Sequence, residues 1–131
     1  VPALRLRAAV SMVKELAAGD AVSYGCTFRA PKPMRAATLA VGYADGYPRA
    51  LSGRGTVSLH GRPARVLGRV CMDQLLVDAT DTGAAVGDVA TLIGADGPER
   101  ITAEEAAEAA GTIANELLCR IGPRVPRVYL R

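Results

Sequence analysis

The chain has 131 residues, half of them hydrophobic, with 4% aromatics, no Trp and a formal net charge of +3. That size suits one domain around one core, and the apolar content excludes disorder. With so few aromatics, the core has to be built from Val, Leu, Ile and Ala. Lys14 and Lys32 are the only lysines and the arginines are scattered singly, which argues against a nucleic-acid surface. No apolar run approaches the roughly 20 residues of a membrane span. Three cysteines, Cys26, Cys71 and Cys119, lack C-x-x-C spacing, which points to reduced thiols in a soluble, cytoplasmic protein without a zinc site. Val1-Pro2 is unlike a natural start and suggests a piece of a longer protein.

Leu4, Leu6, Ala8, Val10 and Met12 share one face at period two, with Arg5 and Arg7 opposite, so the first element is a half-buried strand. A turn at Ala18-Gly19-Asp20 leads to a second short strand over Ala21–Phe28. Pro31-Lys32-Pro33 breaks regular structure, and Met34–Val41 is a third strand. Tyr43–Gly55, rich in Gly and Pro, reads as a long ordered loop of the kind that carries function. Thr56–Leu59 and Arg62–Val70 flank His60-Gly61 as a hairpin, and Leu75–Asp78 and Val89–Ile93 are further strands separated by a loop at Thr80–Gly87. Thr102-x-x-Glu105 then opens a helix that Gly111 stops, Thr112–Cys119 restarts one, and Arg124–Leu130 closes the chain as an edge strand containing Pro126. The fold class is therefore mainly β: a closed or partly open barrel of about seven to eight short strands, with a small helical insertion near the C-terminus.

Much common chemistry is missing. His60 is the only histidine and sits in a turn, where a solvated side chain is the ordinary reading and a general base is not. There is no phosphate-binding glycine loop, and Asp73, Asp78 and Asp81 read as turn caps. Three segments resist explanation by packing: Val22-Ser23-Tyr24-Gly25-Cys26-Thr27-Phe28, Val41-Gly42-Tyr43-Ala44-Asp45-Gly46-Tyr47-Pro48-Arg49, and Gly68-Arg69-Val70-Cys71-Met72-Asp73-Gln74. Three of the four tyrosines lie in the first two, each directly beside a glycine, which permits close backbone approach to a ligand. Buried corner tyrosines bonded to backbone explain the same residues equally well.

Together the segments resemble the C-terminal domain of alanine racemase, a pyridoxal-phosphate (PLP) family. The resemblance runs over essentially the whole chain, through V-S-Y-G, V-G-Y-A-D-G-Y-P-R, G-R-V-C-M-D-Q, V-G-D-V-A-T-L-I-G and the closing R-V-P-R-V-Y. It implies a β-domain that follows an N-terminal (β/α)8 barrel, with residues 1–131 forming the C-terminal domain alone. The family holds PLP by a Schiff-base lysine in a K-A-N-A-Y-G-like motif; neither Lys14 nor Lys32 has that context, so the cofactor belongs to the missing domain and this chain alone is expected to be inactive. The implied reaction interconverts L- and D-alanine, the latter for bacterial peptidoglycan, in a head-to-tail homodimer. Tyr24 matches the tyrosine acid/base that reaches the partner subunit's site. Tyr43 matches a tyrosine at the substrate entrance, and Met72 the residue whose backbone amide binds the substrate carboxylate. Asp73, Arg69, Arg49 and Ile121 match members of the entrance corridor. No metal, nucleic acid or membrane is implied.

One departure stands out. Aligned on R-V-P-R, the position of a tyrosine in many members is Pro123, which has no N–H or hydroxyl to donate. Three readings remain open: an alanine racemase domain, the domain of a racemase with broader preference for serine or larger amino acids, and a non-catalytic β-domain used for dimerization.

Overall fold

The computed structural model describes residues 4–130 and, of Tyr24, the backbone alone. The strands are β1 (Leu6–Leu16), β2 (Ala21–Val22), β3 (Phe28–Arg29), β4 (Met34–Leu39), β5 (Thr56–Leu59), β6 (Arg62–Leu67), β7 (Leu75–Asp78), β8 (Val89–Asp96) and β9 (Glu99–Ile101); two helices follow, α1 (Ala103–Ala110) and α2 (Ala114–Cys119). Seven strands form one antiparallel sheet in the order β1-β4-β7-β6-β5-β8-β9, and β1 also pairs with β8, so the pairings return partly to their start. Two seams are thin: β6 meets β7 only at Val66–Val77 and Leu67–Leu76, and β5 meets β8 only at Ser58–Thr91 and Leu59–Ala90. The architecture is thus the mainly-β, partly closed barrel expected, with its helical insertion in place. β2 and β3 form a separate two-stranded ribbon.

β1 serves two neighbours. Leu6–Ala9 pair with β8 and Val10–Leu16 with β4, with a register shift between Val10 and Met12. An extra residue in one strand rotates everything beyond it by one position. Leu6, Ala8 and Val10 therefore point into the barrel as the alternation predicts, whereas Met12 is 57% exposed, Val13 packs against the barrel core, and Leu16 is buried in a second cluster with Ala30, Met34, Ala36 and Leu67. Leu4 also faces out. The core is aliphatic: Leu39, Leu51, Leu59, Leu75, Leu92, Val57, Val66 and Val77 are fully buried, each leucine contributing about 1.5–3 kcal/mol of transfer free energy. α1 begins where Thr102 Oγ1 accepts from Glu105 N at 3.0 Å and ends at Gly111 with φ 77°, as the capping pattern predicts. Its alanines and Leu117 of α2 pack on the core.

Other expectations need correction. Ala21–Phe28 is not one strand: a 3-10 turn over Tyr24–Cys26 separates β2 from β3, with Ser23, Gly25 and Cys26 all at positive φ. Tyr43–Gly55 contains two 3-10 turns, Tyr43–Asp45 and Arg49–Leu51. β4 and β6 stop earlier than predicted, at Leu39 and Leu67, while β8 runs on through Gly94 to Asp96 and turns back at Gly97 (φ 57°) into β9. Arg124–Leu130 makes no strand, and Tyr129 is 90% exposed. Pro126 withholds a ladder donor. Arg127 instead donates to the carbonyls of Ile121, Gly122 and Val125, so side chains rather than a ladder hold this segment's start.

Candidate active site

The segment between β6 and β7, residues 68–74, is the hub. Successive residues of it receive a different part of the chain. Ser23 Oγ accepts from Arg69 N at 2.7 Å and donates to Arg69 O at 3.2 Å. Ser52 Oγ accepts from Val70 N at 2.9 Å while donating to Arg49 O at 2.6 Å. Tyr43 N donates to Cys71 O and Ala44 N to Met72 O, both at 3.0 Å. Arg124 Nη2 donates to Asp73 Oδ1 at 2.8 Å. Cys71 N to Gln74 O, 3.0 Å, closes the segment on itself.

Glycines make these approaches possible. A Cβ on Gly42 would stand 2.2 Å from Cys71 O, and one on Gly46 2.3 Å from Arg120 O; one on Gly68 would stand 2.4 Å from Ser23 Cβ. Gly46 additionally needs φ 109° to leave the Tyr43 turn, a conformation that side chains rarely adopt. Gly122 N then donates to Asp45 O at 3.1 Å, which brings the exit of α2 onto the same turn.

The predicted residues gather around this hub. Tyr24 lies in the 3-10 turn clamped by Ser23, and the Arg69 guanidinium packs over the next residue, with Nη1 3.6 Å from where a Cβ on Gly25 would be. Tyr43 is 44% exposed and Met72 53% exposed. Met72 N has no hydrogen-bond acceptor among the described residues, while Cys71 N before it donates to Gln74 O. An unpaired backbone N–H on an exposed residue is a candidate donor for an anion. Tyr43 and Arg49 line an open concavity of about 390 Å³ together with Gly46, Tyr47, Pro48 and Arg120. Two guanidinium groups on its wall favour an anionic or zwitterionic solute. Asp73 is exposed and held by Arg124. Ile121 is placed differently: it borders a small apolar cavity of about 10 Å³ with Leu6, Tyr47 and Leu117, between α2 and the barrel.

The tyrosines divide between the two explanations left open above. Tyr47 is 4% exposed, and burial pushes its phenol well above the ordinary value, so it is a neutral packing residue. Tyr43 stands at the surface. His60 is exposed and its Nε2 lies 2.7 Å from Asp88 Oδ2; Asp78 caps a turn by accepting from Thr80 N at 3.0 Å. Among the described residues no three metal-ligating side chains come together, and no helix is long and apolar enough to cross a membrane.

Sequence reasoning missed Ser23, Ser52, Asp45 and Arg124 as organising residues. Ser23 and Asp45 lie inside the segments singled out, beside the tyrosines and glycines. Ser52 and Arg124 carry no local signal, because their partners are 18 and 51 residues away.

The chain matches the family model for the alanine racemase C-terminal domain over residues 3–129. It is 50% identical to an alanine racemase of Laribacter hongkongensis over 127 residues, 96% of this chain and 34% of that protein. The alanine racemase of Geobacter sulfurreducens is 48% identical over 131 residues, covering 98% of this chain and 34% of its own length. Among solved structures, a Bacillus anthracis alanine racemase with bound L-Ala-P superposes with a TM-score of 0.94 at 40% identity, over 100% of this chain and 33% of that one. A Bartonella henselae alanine racemase with covalently bound pyridoxal phosphate gives 0.88 at 35% identity, over 96% and 34%. The chain spans about a third of the length of these relatives, and on the family model and the identities together it belongs to the alanine racemase C-terminal domain family.

Proposed function

We propose that this chain is the C-terminal domain of a PLP-dependent alanine racemase and presents Tyr24 and the Met72 amide to a site completed by the N-terminal barrel of a partner subunit. The observation that carries this reading is the Met72 N–H without an acceptor among the described residues, on an exposed residue of the hub that also clamps the Tyr24 turn. Bound PLP supplies the electron sink that makes an α-proton removable. The chain's own lysines, Lys14 on β1 and Lys32 in the bend before β4, are exposed and line neither cavity. They fit no attachment of the cofactor, which therefore falls to the barrel domain.

In this reading the residues divide the work. Met72 N donates to the substrate carboxylate and orients Cα. Tyr24 moves a proton on one face of Cα. A phenol with an ordinary pKa of about 10 is a poor base at neutral pH, so the role needs a positive or hydrogen-bonding group beside the tyrosine in the assembled site. Tyr43 narrows the entrance, and Arg49, Arg69, Asp73 and Ile121 form the corridor, whose charges draw in a zwitterion. The product serves peptidoglycan synthesis in the cytoplasm, and the functional unit is a homodimer.

The test is racemization of L-alanine, followed by circular dichroism, in the full-length protein and its Tyr24→Phe variant. Loss of the acid/base is expected to cut turnover by about 10²–10⁴-fold with PLP still bound. An active parent with an indifferent variant overturns the role of Tyr24. A parent inactive on every amino acid favours a non-catalytic β-domain. Running L-serine beside L-alanine tests a second reading: Pro123 is exposed and carries no donor, and a lost aromatic in the site wall relaxes side-chain discrimination.

A further inference from the structure

Among the described residues, Arg124 is the side chain that joins the carboxylates of the Tyr43 turn and the Met72 segment. Its Nε lies 3.1 Å from Asp45 Oδ1 and its Nη2 2.8 Å from Asp73 Oδ1. Asp45 is the residue whose other oxygen accepts from Gly42 N at 3.0 Å and whose carbonyl accepts from Gly122 N at 3.1 Å. Asp73 directly follows Met72. One guanidinium thus spans the Tyr43 turn and the Met72 peptide, and the rigid planar fork of arginine suits that geometry in a way a lysine ammonium does not. Without it, the two carboxylates lose the cation they share, and like charges near one another repel.

We propose that Arg124 is a positioning residue: by clasping Asp45 and Asp73 it holds the Met72 N–H in register with Tyr43, and so sets the affinity for the substrate carboxylate. The role rests on the racemase reading for its substrate, but its geometric part stands on this chain alone. A carboxylate contact is made in the ground state and in the transition state alike, so disturbing it changes KM more than kcat.

The experiment uses the full-length protein and two readouts. Hydrogen–deuterium exchange, resolved to peptides covering residues 42–47 and 71–74, reads the clasp whether or not the enzyme turns over. Kinetics with L-alanine read its consequence. Arg124→Met is expected to speed exchange at least threefold in both peptides, with β5 and β6 unchanged, and to raise KM about tenfold while kcat moves less than threefold. Asp73→Asn should speed exchange in 71–74 alone. Adding it to Arg124→Met should cost less than the sum of the two, since it removes the repulsion the first variant exposes. Arg124→Lys should fall between wild type and Arg124→Met. Unchanged exchange in Arg124→Met overturns the proposal. Faster exchange with KM unmoved also overturns it, leaving a contact that only holds loops. If the parent racemizes nothing but exchange responds as stated, the clasp stands and the racemase reading falls.

Discussion

Gly42→Ala isolates how tightly the Tyr43 turn must lie on the hub. Gly42 has φ −151°, extended backbone open to any residue, so the substitution adds no conformational strain and tests space alone. The new methyl would stand 2.2 Å from Cys71 O and 2.3 Å from Met72 O. Non-bonded contacts relax near 3.5 Å, so one segment must retreat by at least about 1 Å. Both obstacles are backbone, and neither can swing aside. Retreat breaks the hydrogen bonds from Tyr43 N to Cys71 O and from Ala44 N to Met72 O, about 1 kcal/mol each. Displacing packed backbone costs a further 1–3 kcal/mol or so, giving about 3–5 kcal/mol in all. With a urea m-value of about 2 kcal/mol/M, the unfolding midpoint should drop by about 1.5–2.5 M. The control is Gly53→Ala, where φ is 66° and nothing lies within 4 Å; there only the left-handed backbone resists, at about 1–2 kcal/mol. Equilibrium urea unfolding of the two variants decides the matter. A Gly42→Ala loss no larger than that of Gly53→Ala would refute the close approach and, with it, the hub.

Two further perturbations probe neighbouring contacts. Ser23→Ala removes the hydroxyl that both accepts from and donates to Arg69; an orphaned, part-buried Arg69 N–H should destabilise by about 1–3 kcal/mol, and in the full-length enzyme kcat should fall as the Tyr24 turn loosens, whereas unaltered kcat would detach Ser23 from the site. Asp96 accepts from Gly61 N at 2.9 Å and from Ser58 Oγ at 2.8 Å, and these bonds, the backbone one first, hold its carboxyl below the usual range. A depressed folded-state pKa adds stability above the unfolded pKa that is lost as pH falls through the folded one. Asp96→Asn should therefore be less stable at neutral pH and show a flatter decline between about pH 5 and pH 2; urea midpoints with parallel pH slopes in both proteins would contradict this.

Much of the molecule follows from local sequence. Period-two alternation places Leu6, Ala8 and Val10 inward, Thr102 and Gly111 bound the first helix, and the Gly-Tyr and Cys-Met-Asp segments mark where the chain departs from packing. These features depend on neighbours within a few residues, where backbone sterics and side-chain spacing act directly. The bulge that turns Met12 outward arises because β1 must pair with β8 at one end and β4 at the other. The break in Ala21–Phe28 reflects Ser23 being claimed by Arg69, 46 residues on. Burial decides that Tyr47 is a packing residue while Tyr43 stays at the surface, though both sit in the same glycine-rich run. Arg124 is no different from any other arginine until the barrel brings Asp45 and Asp73 to its two sides. Local chemistry thus names the residues that can act, and long-range closure of the barrel decides which of them meet, because contacts between distant residues are set by sheet pairing and excluded volume rather than by any one segment's propensity.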